Sequence, residues 1–177
     1  MLFNVAQLLK SPVGTSLESD FNEEQVQLDD ELKLSGPITG HARMRHINQG
    51  LLVDGWVDLT LEMACVRCLK EFQQPLHVTF GERFVPTVDV VTGAPVRFVD
   101  EGDDVFFIDD HHQVDLTEAI RQRTLLELPA VPLCKPDCAG LCPSCGHDLN
   151  TGPCDCEPEV DTRLSALKVL LQNDSTN

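Results

Sequence analysis

Apolar and polar residues alternate along the middle of the chain with a period of two. The pattern begins near residue 26, where Val26, Leu28, Leu32 and Leu34 share one parity with mostly polar residues between them. Successive side chains of a strand point to opposite faces, so this spacing predicts a strand with one buried side. Gly36-Pro37 interrupts it, and a second run through Ile38, Gly40, Ala42 and Met44 leads to the turn chemistry of Asn48-Gln49-Gly50. In the clearest run, Val53, Val57, Leu59, Leu61 and Met63 alternate with Asp54, Asp58, Thr60 and Glu62, and Trp56 is the exception to polarity on the outer face. Further strands are predicted through Leu76, Val78, Phe80 and Phe84, and over Val105-Phe106-Phe107-Ile108. Residues 86–104, with Pro86, Gly93, Pro95 and Gly102, read as a loop or an irregular hairpin. Short connections favour antiparallel pairing, because parallel neighbours need a long crossover.

The period changes after residue 115. Asp115 with Glu118 three residues on resembles a capping box for a helix from about Leu116 to Leu128, ended by Pro129. A last helix is predicted from Asp161, since Val160, Leu164, Leu167 and Leu171 fall on one helical face that should dock on the rest of the chain. Residues 1–25 offer Phe3, Val5, Leu8 and Leu9 before a polar run from Ser16 to Glu24, and read as a tethered arm. The expected class is α+β. An N-terminal arm (1–25) precedes an antiparallel sheet or partly open barrel with a helix (26–128). A cysteine-rich zinc module (129–157) and a C-terminal docking helix and tail (158–177) follow.

Length and charge narrow the function. A chain of 177 residues holds one core plus an appendage. No apolar run approaches the roughly 18 residues of a membrane span. Met1-Leu2-Phe3-Asn4-Val5 lacks the charged and apolar regions of a signal peptide, so a soluble, cytoplasmic protein is expected. Thirteen Lys and Arg against 29 Asp and Glu give a net charge of −16. That balance disfavours direct contact with RNA, which would need a local basic and aromatic surface. The acidity either serves solubility alone or attracts basic protein partners. Asp100, Glu101, Asp103, Asp104, Asp109, Asp110, Asp115 and Glu118 crowd residues 100–118 without a Lys or Arg, as a solvated loop or as such a surface.

Eight cysteines carry the strongest chemical signal. In a chain without a secretion signal they point to metal more than to disulfides. Cys142-Pro143-Ser144-Cys145-Gly146 is a zinc knuckle: two intervening residues let both sulfurs face one ion, and the glycine allows the positive φ of the turn. Cys154-Asp155-Cys156 returns after a short loop to complete a site of Cys142, Cys145, Cys154 and Cys156. Cys65-Val66-Arg67-Cys68 and Cys134-Lys135-Pro136-Asp137-Cys138 suit a second Zn²⁺ site that would tie the C-terminal region to the sheet. In the competing arrangement Cys134 and Cys138 join the first site, leaving Cys65 and Cys68 as thiols or a redox pair. Thiolates alone do not separate zinc from iron. Of the histidines His41, His46, His77, His111, His112 and His147, none has ligand spacing to another except the adjacent His111 and His112, and His147 lies near enough to Cys145 to replace a ligand. Paired cysteines close both metal shells, and no Gly-rich phosphate loop, Gly-x-Ser-x-Gly elbow or His-Glu-x-x-His occurs, so no catalytic residue is assigned and no enzyme is expected.

Cys65-Val66-Arg67-Cys68 with Leu69 and Phe72, Asp115-Leu116, Leu128-Pro129, the Cys-Pro-Ser-Cys-Gly knuckle, Leu149-Asn150, and Asp161 with Arg163, Leu164 and Leu167 together resemble the YceD family, over roughly residues 30–171. Where members tend to have Asp-Pro-Arg before the last helix, this chain has Asp161-Thr162-Arg163, which leaves Asp161 in place as a cap. The resemblance implies a role in synthesis, processing or stability of 23S ribosomal RNA, without implying a mechanism. The expected partners are then ribosomal proteins or a pre-ribosomal particle. A direct RNA-binding zinc module and a thiol redox protein using Cys65 and Cys68 stand as rival readings.

Overall fold

The computed structural model describes residues 1–24, 26–30, 32–96 and 105–156. Its elements in chain order are β1 (Leu2–Asn4), α1 (Ala6–Lys10), β2 (Ser16–Glu23), β3 (Ile38–Ile47), β4 (Gly50–Ala64), β5 (Glu71–Pro86), β6 (Phe106–Ile108), β7 (Gln113–Asp115) and α2 (Thr117–Glu127). Strands β2, β3, β4, β5 and β6 form one sheet in that order, while β1 and β7 form a separate antiparallel pair. The fold is α+β with two helices among the described residues, and the sheet does not close into a barrel.

Pairing is antiparallel from β2 to β5, but β6 runs parallel to β5. The reason is the connection, because residues 87–105 are long enough for the crossover that parallel strands need. Within it, Val88 bridges Pro95 and the Asp89 carboxylate accepts the Val91 and Thr92 N–H groups, so its described part is the irregular hairpin that the prolines and glycines predict.

One sheet face makes the core. Ile38, Ala42 and Met44 of β3, Leu51, Val53, Val57, Leu59 and Leu61 of β4, and Val78, Phe80 and Phe84 of β5 are all buried. They meet Ala119, Ile120 and the buried Thr124 of α2. Gly55 lies in this face opposite Phe80, where a Cβ would fall 2.1 Å from the His41 carbonyl oxygen and 2.9 Å from the Phe80 ring. The glycine is thus the space into which Phe80 packs.

Three expectations meet the structure differently. The N-terminal residues, expected as a tethered arm, are built into the fold. Val5 and Leu8 enter the core, Met1 donates through its amine to Asp115 Oδ1 (3.3 Å) and Thr117 Oγ1 (3.0 Å), and β2 is an edge of the sheet. An edge strand rich in acidic and polar residues shows little alternation because only one neighbour and part of one face need apolar contact. Residues 26–34, expected as a strand, bury Leu28 and Leu32 without a ladder and make only a bridge from Leu34 to Leu61. Gly36-Pro37 separates that bridge from β3, and Pro37 has no N–H to give. Asp115 lies in β7 rather than at the N-cap, which is Leu116. Its Oδ1 accepts from the Thr117 N–H (2.9 Å) and hydroxyl (2.6 Å), while Glu118 turns to Arg121 and Gln122 instead of back to the cap. Leu128, before Pro129, is extended and ends α2 as expected. The helix expected from Asp161 and the acidic residues Asp100 to Asp104 lie outside the described residues.

Candidate metal centres

The β4–β5 hairpin turns through a cysteine knuckle. Ala64 and Glu71 are the last cross-strand partners, and between them the Leu69 N–H donates to the Cys65 carbonyl (2.8 Å) and the Cys65 N–H to the Lys70 carbonyl (2.9 Å). After α2 and Pro129 the chain returns to this tip: the Val66 N–H donates to the Pro132 carbonyl (3.0 Å), and Arg67 Nη1 donates to the Cys138 carbonyl (2.8 Å). These contacts bring Cys134 and Cys138 onto Cys65 and Cys68. Cys65 Sγ lies 3.8 Å from Cys138 Sγ, and Cys68 Sγ 3.6 Å from Cys134 Sγ. Phe72, Leu133 and Leu141 pack around the quartet.

The second knuckle repeats the first. The Gly146 N–H donates to the Cys142 carbonyl (2.9 Å) as Leu69 does to Cys65, and the residue after each second cysteine has positive φ, 59° at Leu69 and 72° at Gly146. Leu141 and Asp148 bridge across the loop, and Cys154 and Cys156 complete a quartet with Cys142 and Cys145. Within each quartet all four sulfurs lie within 4.8 Å of one another. Of the two pairings the sequence left open, the structure groups Cys134 and Cys138 with Cys65 and Cys68. His147 is in neither quartet; its Nε2 lies 3.5 Å from the Thr151 hydroxyl.

Both donor sets fit a metal ion. Four sulfurs around one centre at about 2.3 Å form a tetrahedron with edges of about 3.8 Å, which matches the two separations in the first quartet. The thiols also titrate apart. Burial works to raise Cys65, but the N–H groups of Cys134, Cys68 and Arg67 outweigh it and bring the thiol down to about 6. Hydrogen bonds from the Cys145 and Ser144 N–H groups bring Cys142 to about 6 as well. Burial and the neighbouring sulfurs push Cys134 up to about 12, and Cys145 beside it pushes Cys156 up to about 12. Each quartet thus holds a ready thiolate beside a thiol that resists ionising until a cation offsets the accumulated charge.

A polar network absent from the sequence-based expectations links the two quartets. Asn150, just beyond the second knuckle, donates from Nδ2 to Cys138 Sγ of the first quartet (3.4 Å) and to Asp148 Oδ1 (2.7 Å), and its Oδ1 accepts the Ala139 N–H (2.9 Å). Asp148 Oδ2 pairs with Lys70 Nζ at 2.5 Å, on the first knuckle. Lys70, followed by the Asn150 backbone and side-chain donors, holds the Asp148 carboxyl well below the usual carboxylate range. The signal in the sequence was Leu149-Asn150, which entered only as part of the resemblance.

An open α+β sheet with two four-cysteine centres, one of them formed by the tip of its longest hairpin, defines the class. The family model described as Large ribosomal RNA subunit accumulation protein YceD matches residues 53–171, and the chain belongs to that family. An uncharacterized protein of Mycobacterium tuberculosis is 30% identical over 174 residues, 98% of this chain and 76% of that protein. The Zea mays chloroplastic large ribosomal RNA subunit accumulation protein YCED homolog 1 is 30% identical over 140 residues, 67% of this chain and 48% of its own length. The Arabidopsis thaliana protein of that name is 32% identical over 129 residues, 62% of this chain and 40% of its own. No solved structure matches the chain. The family is named for accumulation of a ribosomal RNA subunit rather than for a reaction. Among the described residues no helix is long and apolar enough to cross a membrane.

Proposed function

We propose that this chain is a non-enzymatic cytoplasmic factor that supports 23S ribosomal RNA synthesis, processing or accumulation, with one structural Zn²⁺ in each cysteine quartet. The observation that carries this reading is the pair of four-sulfur shells of single-ion size, within a family named for accumulation of the large ribosomal RNA subunit. A multi-iron cluster binds its thiolates through different irons and fits sulfurs this close less well. In the first centre Cys65, Cys68, Cys134 and Cys138 would hold the ion, and in the second Cys142, Cys145, Cys154 and Cys156. Zinc would supply a redox-inert fourfold crosslink and, with four protein ligands, no open position for water. The chain's own residues do the rest: N–H groups of both knuckles stabilise thiolates, and Asn150, Asp148 and Lys70 lock the second loop against the first knuckle.

The partners are ribosomal proteins or a pre-ribosomal particle, met through acidic surface near Asp100 to Asp110. Converting Asp100, Glu101, Asp103, Asp104 and Asp110 to amides should weaken capture of ribosomal proteins without altering the fold; unchanged capture refutes this contact. Elemental analysis of protein purified without added metal tests the centres. Close to two zinc ions per chain is expected, and iron or no metal overturns the reading.

A further inference from the structure

Opposite the core, the sheet turns a second face to solvent. Along β4 that face carries Asp54, Trp56, Asp58, Thr60 and Glu62, at the parity opposite to the buried Val53, Val57, Leu59 and Leu61. Trp56 is 38% exposed there. Strand register sets Asp20, His41, Trp56 and Thr79 in one row across β2 to β5, and Asn22, Thr39, Asp58 and His77 in the next. The Trp56 and His77 rings stack with centroids 5.7 Å apart, so β5 buttresses the indole. Charge is divided unevenly over this face. Toward the β3–β4 turn the cations are already engaged: Arg43 pairs with Asp54 (2.6 Å), Arg45 lies 3.7 Å from the same carboxylate, and Arg83 donates to Gln49 (2.7 Å). The two rows through Trp56 and Asp58 contain Asp20 and Asp58 and no Lys or Arg. Each aspartate gives Oδ1 to a histidine, Asp20 to His41 Nδ1 (2.7 Å) and Asp58 to His77 Nδ1 (2.6 Å), while the side chains stay 89% and 54% exposed. Lys33 enters only further along, where its carbonyl accepts the Glu62 N–H. Beside Asp58 and His77 the surface dips into a groove lined by Pro37, Thr39, Thr60 and Pro75.

We propose that this face docks an arginine-rich extended segment of a basic partner protein, with one guanidinium lying over Trp56 and donating to Asp58 and a second reaching Asp20. A guanidinium is planar and weakly hydrated, so it stacks on an indole while its N–H fork serves a carboxylate at the ring's edge. The spacing suits one short segment. Asp58 is two residues along β4 from Trp56, about 7 Å, and Asp20 lies two strands across, about 10 Å. The groove beside Asp58 gives the methylene stems an apolar bed. The aspartates oppose any polyanion at these rings, and a second copy of this chain, with its own net charge of −16, would bring like charge to the contact. The surface is separate from the one proposed near Asp100 to Asp110, and the inference rests on the ribosomal reading only for the partner's origin.

Trp56 is the single tryptophan, so its fluorescence reports on this face alone. Full-length, metal-loaded protein is titrated with a peptide of about eight residues alternating Arg and Thr, long enough to cover both aspartates. Anisotropy of a labelled copy gives affinities for the variants. A saturating change in Trp56 fluorescence is expected. Affinity should fall about 2- to 5-fold in Trp56→Leu, and about 2- to 30-fold when Asp20→Asn and Asp58→Asn are combined. A peptide with Lys in place of Arg should bind more weakly, and the amide variant of residues 100–110 should keep the Trp56 response. No change in fluorescence, unaltered affinity in either variant, equal binding of the Lys peptide, or saturation by oligoadenylate in place of the peptide would each overturn the proposal. Circular dichroism and zinc content in each variant show whether the fold and the centres are intact. Wild-type protein that gave the response without bound zinc would refute the metal reading and leave this one standing.

Discussion

Replacing Leu69 by glycine should make the protein more stable. Leu69 has φ of 59° and is 68% exposed, whereas the same place in the second knuckle is taken by Gly146 at 72°. A side chain with a Cβ costs about 1–2 kcal/mol in this left-handed region. Glycine gives back roughly 0.5–1 kcal/mol through the greater freedom of its unfolded chain. Little packing is lost from so exposed a leucine, and the net gain is about 0.5–1 kcal/mol. For a chain of this size that corresponds to a rise of roughly 1–4 °C in the thermal midpoint. Thermal unfolding followed by circular dichroism on the metal-loaded protein measures it, with Leu69→Ala as comparator, because alanine removes the side chain but keeps the strain. The reciprocal change, Gly146→Ala, places a Cβ with no atom within 4 Å and should lower the midpoint by strain alone. A lower midpoint for Leu69→Gly, or an equal rise for Leu69→Ala, would refute the reasoning.

Asn150→Ala removes the donor to Cys138 Sγ and the acceptor of the Ala139 N–H, so the first centre should lose metal affinity about 10- to 100-fold; chelator competition should then show one ion of two leaving early. Gly55→Ala drives a Cβ against the His41 carbonyl oxygen and should cost about 1–3 kcal/mol in denaturant unfolding, whereas Gly81→Ala, on the open face, should be close to neutral. Arg121, helped by Gln122, holds Glu118 at about 2 in the folded chain, below its ordinary 4.5. Its contribution, about 0.5 kcal/mol for so exposed a pair, is therefore present above about pH 4.5 and lost as pH falls toward 2. The stability difference between wild type and Glu118→Gln should shrink over that window.

Legibility followed burial. The long strands could be read because one face of each is buried, and Val53 to Met63 announced β4 through strict alternation. The knuckles could be read because short cysteine spacings leave few geometries, and the pairing across quartets was one of two arrangements the sequence allowed. What escaped has local reasons. β2 carries Ser16, Glu18, Asp20 and Asn22 on its solvent side and hides as polar sequence. Leu28 and Leu32 kept strand parity but join no ladder among the described residues. The Lys70–Asp148–Asn150 network and the ring cluster around Trp56 join residues from distant parts of the sequence, and only strand register brings the latter together.

The first quartet also imposes an order in time. Cys65 and Cys68 leave the ribosome with the β4–β5 hairpin, but Cys134 lies 66 residues after Cys68. At elongation speeds of about 5–20 residues per second, roughly 3 to 13 s pass before the other half of the quartet begins to be synthesised. Through that interval the hairpin carries two uncommitted thiols, open to oxidants and to competing cations. The nascent chain thus carries half of this quartet without its partners while most of the sheet strands are already made, and the arrival of Cys134 and Cys138 ends that exposure.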